Sequence, residues 1–100
     1  MSKDERAIEA EIQKKGLTAP RITPEMLDEE IVVEQYHVFD GSCLTVCCLT
    51  LQNGFTVTGE SACASPENFN AKIGRNIARK NAREKIWPLL GFRLRDQLAQ

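Results

Sequence analysis

The chain has 100 residues, 42% of them hydrophobic, which supplies one modest core and excludes a second. No run approaches the roughly 18–20 apolar residues that cross a bilayer, and Met1 to Arg6 has no apolar stretch behind its charges, so a membrane span and a signal peptide are not expected. The net charge of −1 argues against bulk attraction to a polyanion, but residues 1–50 hold 5 Lys/Arg against 10 Asp/Glu, a balance of −5, and residues 51–100 hold 8 against 4, a balance of +4.

The first element is a helix from about Lys3 to Lys15. Ser2 followed by Glu5 forms a capping box, Ile8 and Ile12 stand one turn apart, and Gly16 suits a C-terminal cap. Its apolar stripe is thin, and Pro20 and Pro24 break the stretch after it, so residues 1–22 read as a helix and linker attached to a single domain over residues 23–100. A second helix starts at Thr23, with Pro24 in the favoured first position and Ile22 and Leu27 at the two ends of a hydrophobic staple. It runs to about Glu30. Asp28, Glu29 and Glu30 oppose the helix dipole there, so a cation from elsewhere is expected to compensate.

From Ile31 the pattern becomes that of strands, in three runs: Ile31 to Phe39, Cys43 to Leu51 and Phe55 to Ser61, divided by Asp40-Gly41-Ser42 and Asn53-Gly54. With Gly54 left-handed in a Gln52-Asn53-Gly54 loop, Leu49 faces Val57, Cys47 faces Gly59, and Thr50 and Cys48 face Thr56 and Thr58. That register separates apolar from polar, as a half-buried sheet requires. A tight first turn places Val32, Tyr36, Val38, Leu44 and Val46 on the outer face beside Glu34 and Thr50. Either the short helices cover that apolar set or it is a contact surface for another protein or a second copy.

A third start signal, Ser65-Pro66-Glu67, opens a long helix expected to reach Ile86 or Trp87, where Pro88 ends or kinks it. Phe69, Ile73 and Ile77 form its expected anchor line, with Ala78 and Ala82 allowing close approach to the sheet. Gly59 in a strand and Gly74 in a helix each cost about 0.5–1 kcal/mol relative to Ala, which marks both as places where another backbone comes near. Trp87 reads as a core plug. Leu90, Leu94 and Leu98 suggest a last short helix broken near Gly91. The fold class is therefore α+β: a three-stranded antiparallel meander packed against a long C-terminal helix, with short N-terminal helices.

The ordered string Asn53-Gly-Phe-Thr-Val-Thr-Gly-Glu-Ser-Ala-Cys63, Asn68-Phe69, Ile73-Gly74, Ala78, Asn81-Ala-Arg-Glu-Lys-Ile-Trp-Pro-Leu89 and Gly91 resembles small phage and prophage proteins named after phage gene products 49 and 66. The resemblance spans about Val46 to Leu98. Leu90 replaces a more usual acid, and Arg79-Lys80 makes the helix more basic than the pattern. What it implies is phage or prophage origin and a role in the cytoplasm of a bacterial host. It supplies no catalytic or binding residue to carry over.

Lys72, Arg75, Arg79 and Arg83 recur at spacings of three and four, one basic stripe on a helix that either lies along a phosphate backbone or pairs with the chain's own acidic half. The order helix, three strands, helix is similar to that of double-stranded RNA-binding domains, but the tight first turn and the opening Pro66-Glu67-Asn68 lack that module's long loop and lysines. Nucleic-acid binding is accordingly the alternative to protein–protein interaction. Cys43, Cys47, Cys48 and Cys63 contain no C-x-x-C pair; Cys43 and Cys47 sit about 13 Å apart on an extended strand, and His37 is the sole histidine. Free thiols are expected, and no metal, cofactor or small-molecule substrate. Ser61 and Cys63 lack an evident base, so the chain is not expected to be an enzyme.

Overall fold

The computed structural model describes residues 2–100. Helix α1 (Lys3–Lys14) begins at the expected capping box, with Glu5 N–H donating to Ser2 Oγ at 3.1 Å and Ser2 N–H to the Glu5 carboxylate at 3.3 Å. Helix α2 (Pro24–Glu30) starts at Thr23, whose hydroxyl accepts from Met26 N–H at 3.3 Å. Strands β1 (Ile31–Val38), β2 (Thr45–Leu51) and β3 (Thr56–Ser61) form an antiparallel sheet in the order β1-β2-β3. Among the described residues no helix is long and apolar enough to cross a membrane.

The β2–β3 hairpin has the register that turn chemistry and alternation dictate. Leu49 pairs with Val57, Cys47 with Gly59, Cys48 with Thr58 and Thr50 with Thr56. Gly54 takes φ 89°, Leu51 N–H donates to Phe55 C=O at 2.8 Å, and Asn53 Oδ1 accepts from Phe55 N–H at 2.9 Å.

The helical half differs from expectation at both ends. Ser65-Pro66 opens only a 3-10 turn over Pro66–Asn68, Phe69 is extended, and α3 (Ala71–Glu84) starts at Asn70, whose side chain accepts from Ile73 N–H at 3.0 Å. A side-chain cap that bonds the backbone therefore overrides one that does not. At the far end α3 stops before Lys85, and α4 (Ile86–Leu98) begins at once. Pro88 falls in the first turn of α4, where a missing N–H breaks no helical bond, and α4 continues through Gly91.

The face of α3 that meets the sheet is Gly74, Ala78 and Ala82, in place of the expected Phe69, Ile73 and Ile77, which are 38%, 58% and 46% exposed. The cause lies in the strand. A Cβ built on Gly59 would stand 2.2 Å from Ala82 N and 2.3 Å from Ala78 O, so strand and helix touch backbone to backbone and only the smallest side chains fit between. A Cβ on Gly74 would meet Thr45 Oγ1 at 2.9 Å. The core grows outward from this contact through Cys47, Leu49, Val57, Ile86 and Leu27, with Trp87 half-buried against it. Helix α3 lies over β2 and β3 and leaves β1 largely uncovered, reaching it through Arg79, which pairs with Glu34.

Candidate interaction surface

Directly opposed residues of a sheet share a face, so pairing decides which side each candidate residue occupies. Tyr36 pairs with Cys47, Val38 with Thr45 and Glu34 with Leu49, all of which lie on the face that carries α3. Val46 pairs with His37, on the opposite, open face. The five residues expected on one outer face are thus divided. Val46 is on the open face, Tyr36 and Val38 are on the helix-bearing face, Leu44 precedes β2, and Val32 sits at an irregularity between Ile31 and Val33.

The reason for this correction is the first turn. The connection runs through Phe39 to Leu44 in place of a three-residue loop, and Ser42 builds it: its hydroxyl donates to Phe39 C=O at 2.9 Å and accepts from Leu44 N–H at 3.2 Å. The added length changes the pairing parity, and every β1 side chain changes face. Val32, Tyr36 and Val38 nonetheless stay 56%, 36% and 37% exposed, because α3 does not extend over β1. Burial still raises the Tyr36 hydroxyl to about 12, with Cys47 and Glu34 adding to the effect. Val33 and Phe39, 44% and 49% exposed, add apolar area on the opposite, open side of β1. Sequence alternation did not mark them, since β1 is open on both faces.

The two edges of the sheet are treated differently. The Leu51–Phe55 bond assigns the backbone groups of the odd-numbered β2 residues to β3, so the even-numbered ones bond β1 through Val33, Gln35 and His37. The N–H and C=O groups of Glu34, Tyr36 and Val38 consequently point away from the sheet. Among the described residues no side chain caps them. On the β3 edge the Asn81 side chain does act as a cap, donating to Glu60 C=O at 2.8 Å.

Half of the basic stripe is spent inside the molecule. Arg79 pairs with Glu34, and Arg83, 9% exposed, reaches Asp28 at 2.9 Å, Glu5 at 2.6 Å and Pro24 C=O at 3.2 Å. Burial works against charge at Arg83, but its hydrogen bonds to Glu5 and Asp28 outweigh it and hold the guanidinium protonated. Burial likewise opposes ionisation of Glu5, yet bonds from Arg83 and Ser2 N–H draw its carboxyl below its ordinary value. Arg93 pairs with Glu30 at 2.5 Å. Arg83 and Arg93 are the cations that the acidic end of α2 requires. Lys72 and Arg75 remain exposed, without an ion pair among the described residues.

The cysteines are all free, but only Cys47 is fully buried. Cys43 and Cys63 face each other at a hollow of about 80 Å³ bordered by Phe69, Ile73 and Ile77, and the Cys63 hydrogen bond pushes the Cys43 thiol up. Thr45 Oγ1 nearby is buried with no hydrogen-bond partner. His37 meets Phe39 edge-on, centroids 4.4 Å apart, on the face of the sheet opposite Ser61.

A family model described as phage protein (N4 Gp49/phage Sf6 gene 66) matches residues 22–98, from the staple residue Ile22 to the end of α4. No curated protein matches the chain, and no solved structure does.

Proposed function

The chain belongs to the phage protein (N4 Gp49/phage Sf6 gene 66) family, and from that premise we propose that it is a non-catalytic phage or prophage accessory protein that works in the cytoplasm of its bacterial host by binding another protein. One observation carries this reading. Arg79 and Arg83, half of the basic stripe, are engaged internally, whereas the sheet keeps one whole face and β1 uncovered, with Val33, Val46 and Cys48 facing outward among polar neighbours. An apolar strip with a polar surround suits protein contact, since it offers area to bury without a field that would draw a polyanion.

The test is affinity capture of the tagged full-length chain from a bacterial host, with and without nuclease. A stoichiometric protein retained after nuclease, and lost with Val46→Glu while the circular dichroism spectrum is unchanged, supports the reading. Retention that disappears with nuclease transfers the function to Lys72 and Arg75.

A further inference from the structure

Strand β1 is the most exposed strand of the sheet. Every residue from Val32 to Val38 is exposed, and the strand has no Lys or Pro, the residues that usually blunt an edge. Its single carboxylate, Glu34, is already neutralised by Arg79. Three N–H groups and three C=O groups, those of Glu34, Tyr36 and Val38, face outward in a row, while the other edge of the same sheet carries the Asn81 cap.

We propose that β1 pairs antiparallel with β1 of a second copy about a two-fold axis at Tyr36, joining two three-stranded sheets into one of six strands. The pattern of outward groups selects both the occupant and the register. Glu34 opposite Glu34 of the second copy would set two carboxylates side by side. Glu34 opposite Tyr36 would assign Val38 to Val32, which lies at the irregular end of the strand. Tyr36 opposite Tyr36 pairs Glu34 with Val38 twice over, uses all three outward residues of each strand and opposes no like charges. The same register sets Gln35 against His37 and Val33 against Phe39, polar with polar and apolar with apolar. In this register the strand opposes no like charges and sets its Gln35/His37 and Val33/Phe39 pairs like with like, and a second copy is the partner that presents that pattern.

Val32 to Phe39 is a short contact beside the about 20–30 residues a side of a standard interface, so dissociation in the range of about 1–100 μM is expected. The inference rests on the protein-contact reading only in taking the sheet as the contact surface. It concerns self-association and can fail without a captured partner being lost.

The experiment is sedimentation equilibrium of the full-length chain from about 5 to about 500 μM, concentrations that bracket that range. The expected mass rises from 11.2 kDa toward twice that value. Tyr36→Pro removes an outward N–H that serves no bond to β2, and should weaken the dimer about tenfold or more with the monomer's circular dichroism unchanged. Should that variant not fold, cross-linking decides. In this register the two Tyr36 Cα atoms are about 5.5 Å apart, within disulfide reach, so Tyr36→Cys links to itself in an oxidising thiol buffer, as read by peptide mass mapping. Gln35→Cys, offset from its own copy by two residues, does not. A monomer at every concentration, a dimer indifferent to Tyr36→Pro, or self-linkage through Gln35→Cys in place of Tyr36→Cys overturns the inference.

Discussion

At the residue scale, stability rests on the small positions. Gly59→Ala places a methyl 2.2 Å from Ala82 N, a backbone atom that moves only if α3 moves, and should cost about 1–3 kcal/mol or more in denaturant unfolding. Ile73→Ser, at a residue 58% exposed, should stay within about 0.5 kcal/mol in the same assay. Equal losses would show that the Ile line carries the helix after all. Thr45→Val tests the opposite case: it deletes a buried hydroxyl that has no partner and should stabilise by about 1 kcal/mol. The glycines were legible as marks of close approach because their backbone cost needs a reason. The alanines were read only as permissive, since hydrophobic periodicity weighs Ile and Phe heavily and does not register that a helix face can be chosen for smallness.

At the element scale, what could be read depended on whether local chemistry alone fixes the answer. Capping signals placed α1 and α2, and the Asn53-Gly54 turn fixed the β2–β3 register, because each acts within a few residues. The first hairpin and the start of α3 turned on side chain-to-backbone bonds from Ser42 and Asn70 that compete with equally plausible neighbours in the sequence. The misplaced parity of β1 divided the five expected contact residues between two faces, while the free edge, a property of the assembled sheet, left no trace in composition. Helix α1 has no buried residue and is held by Glu5–Arg83 and Glu9–Arg21. At Glu9 the Arg21 hydrogen bond draws the carboxyl below its ordinary value of 4.5, and Glu5 is lowered too. Carboxylates lowered in the folded state stabilise it above about pH 4.5, and that contribution is lost as pH falls through the depressed values. Amide exchange followed by NMR should therefore show α1 losing protection on acidification before β2 does. Simultaneous loss would mean that the two ion pairs do not hold α1.

At the scale of the whole molecule, the opposed charges of the two halves are a folding device more than a field, since Arg79, Arg83 and Arg93 each meet an acid from the first half. Of the basic stripe only Lys72 and Arg75 are without an ion pair, so duplex DNA lying along that stripe should bind with a log–log salt slope no steeper than about −1.8, and fluorescence anisotropy should show no binding at physiological salt. A slope near −3.6, that of four phosphate contacts, would mean that Arg79 and Arg83 leave their partners on binding. The Arg83 cluster also has a consequence for how the chain is made. Glu5 and Arg83 are separated by 78 positions, and Asp28 and Arg83 by 55. On the ribosome α1 emerges before Arg83 has been translated, and the sheet strands follow while, of the two ion pairs that hold α1, Glu9–Arg21 alone can form. Helix α1 thus gains its full anchorage only once α3 has been made, and a nascent chain arrested before Arg83 should expose α1 to proteases that the released protein resists.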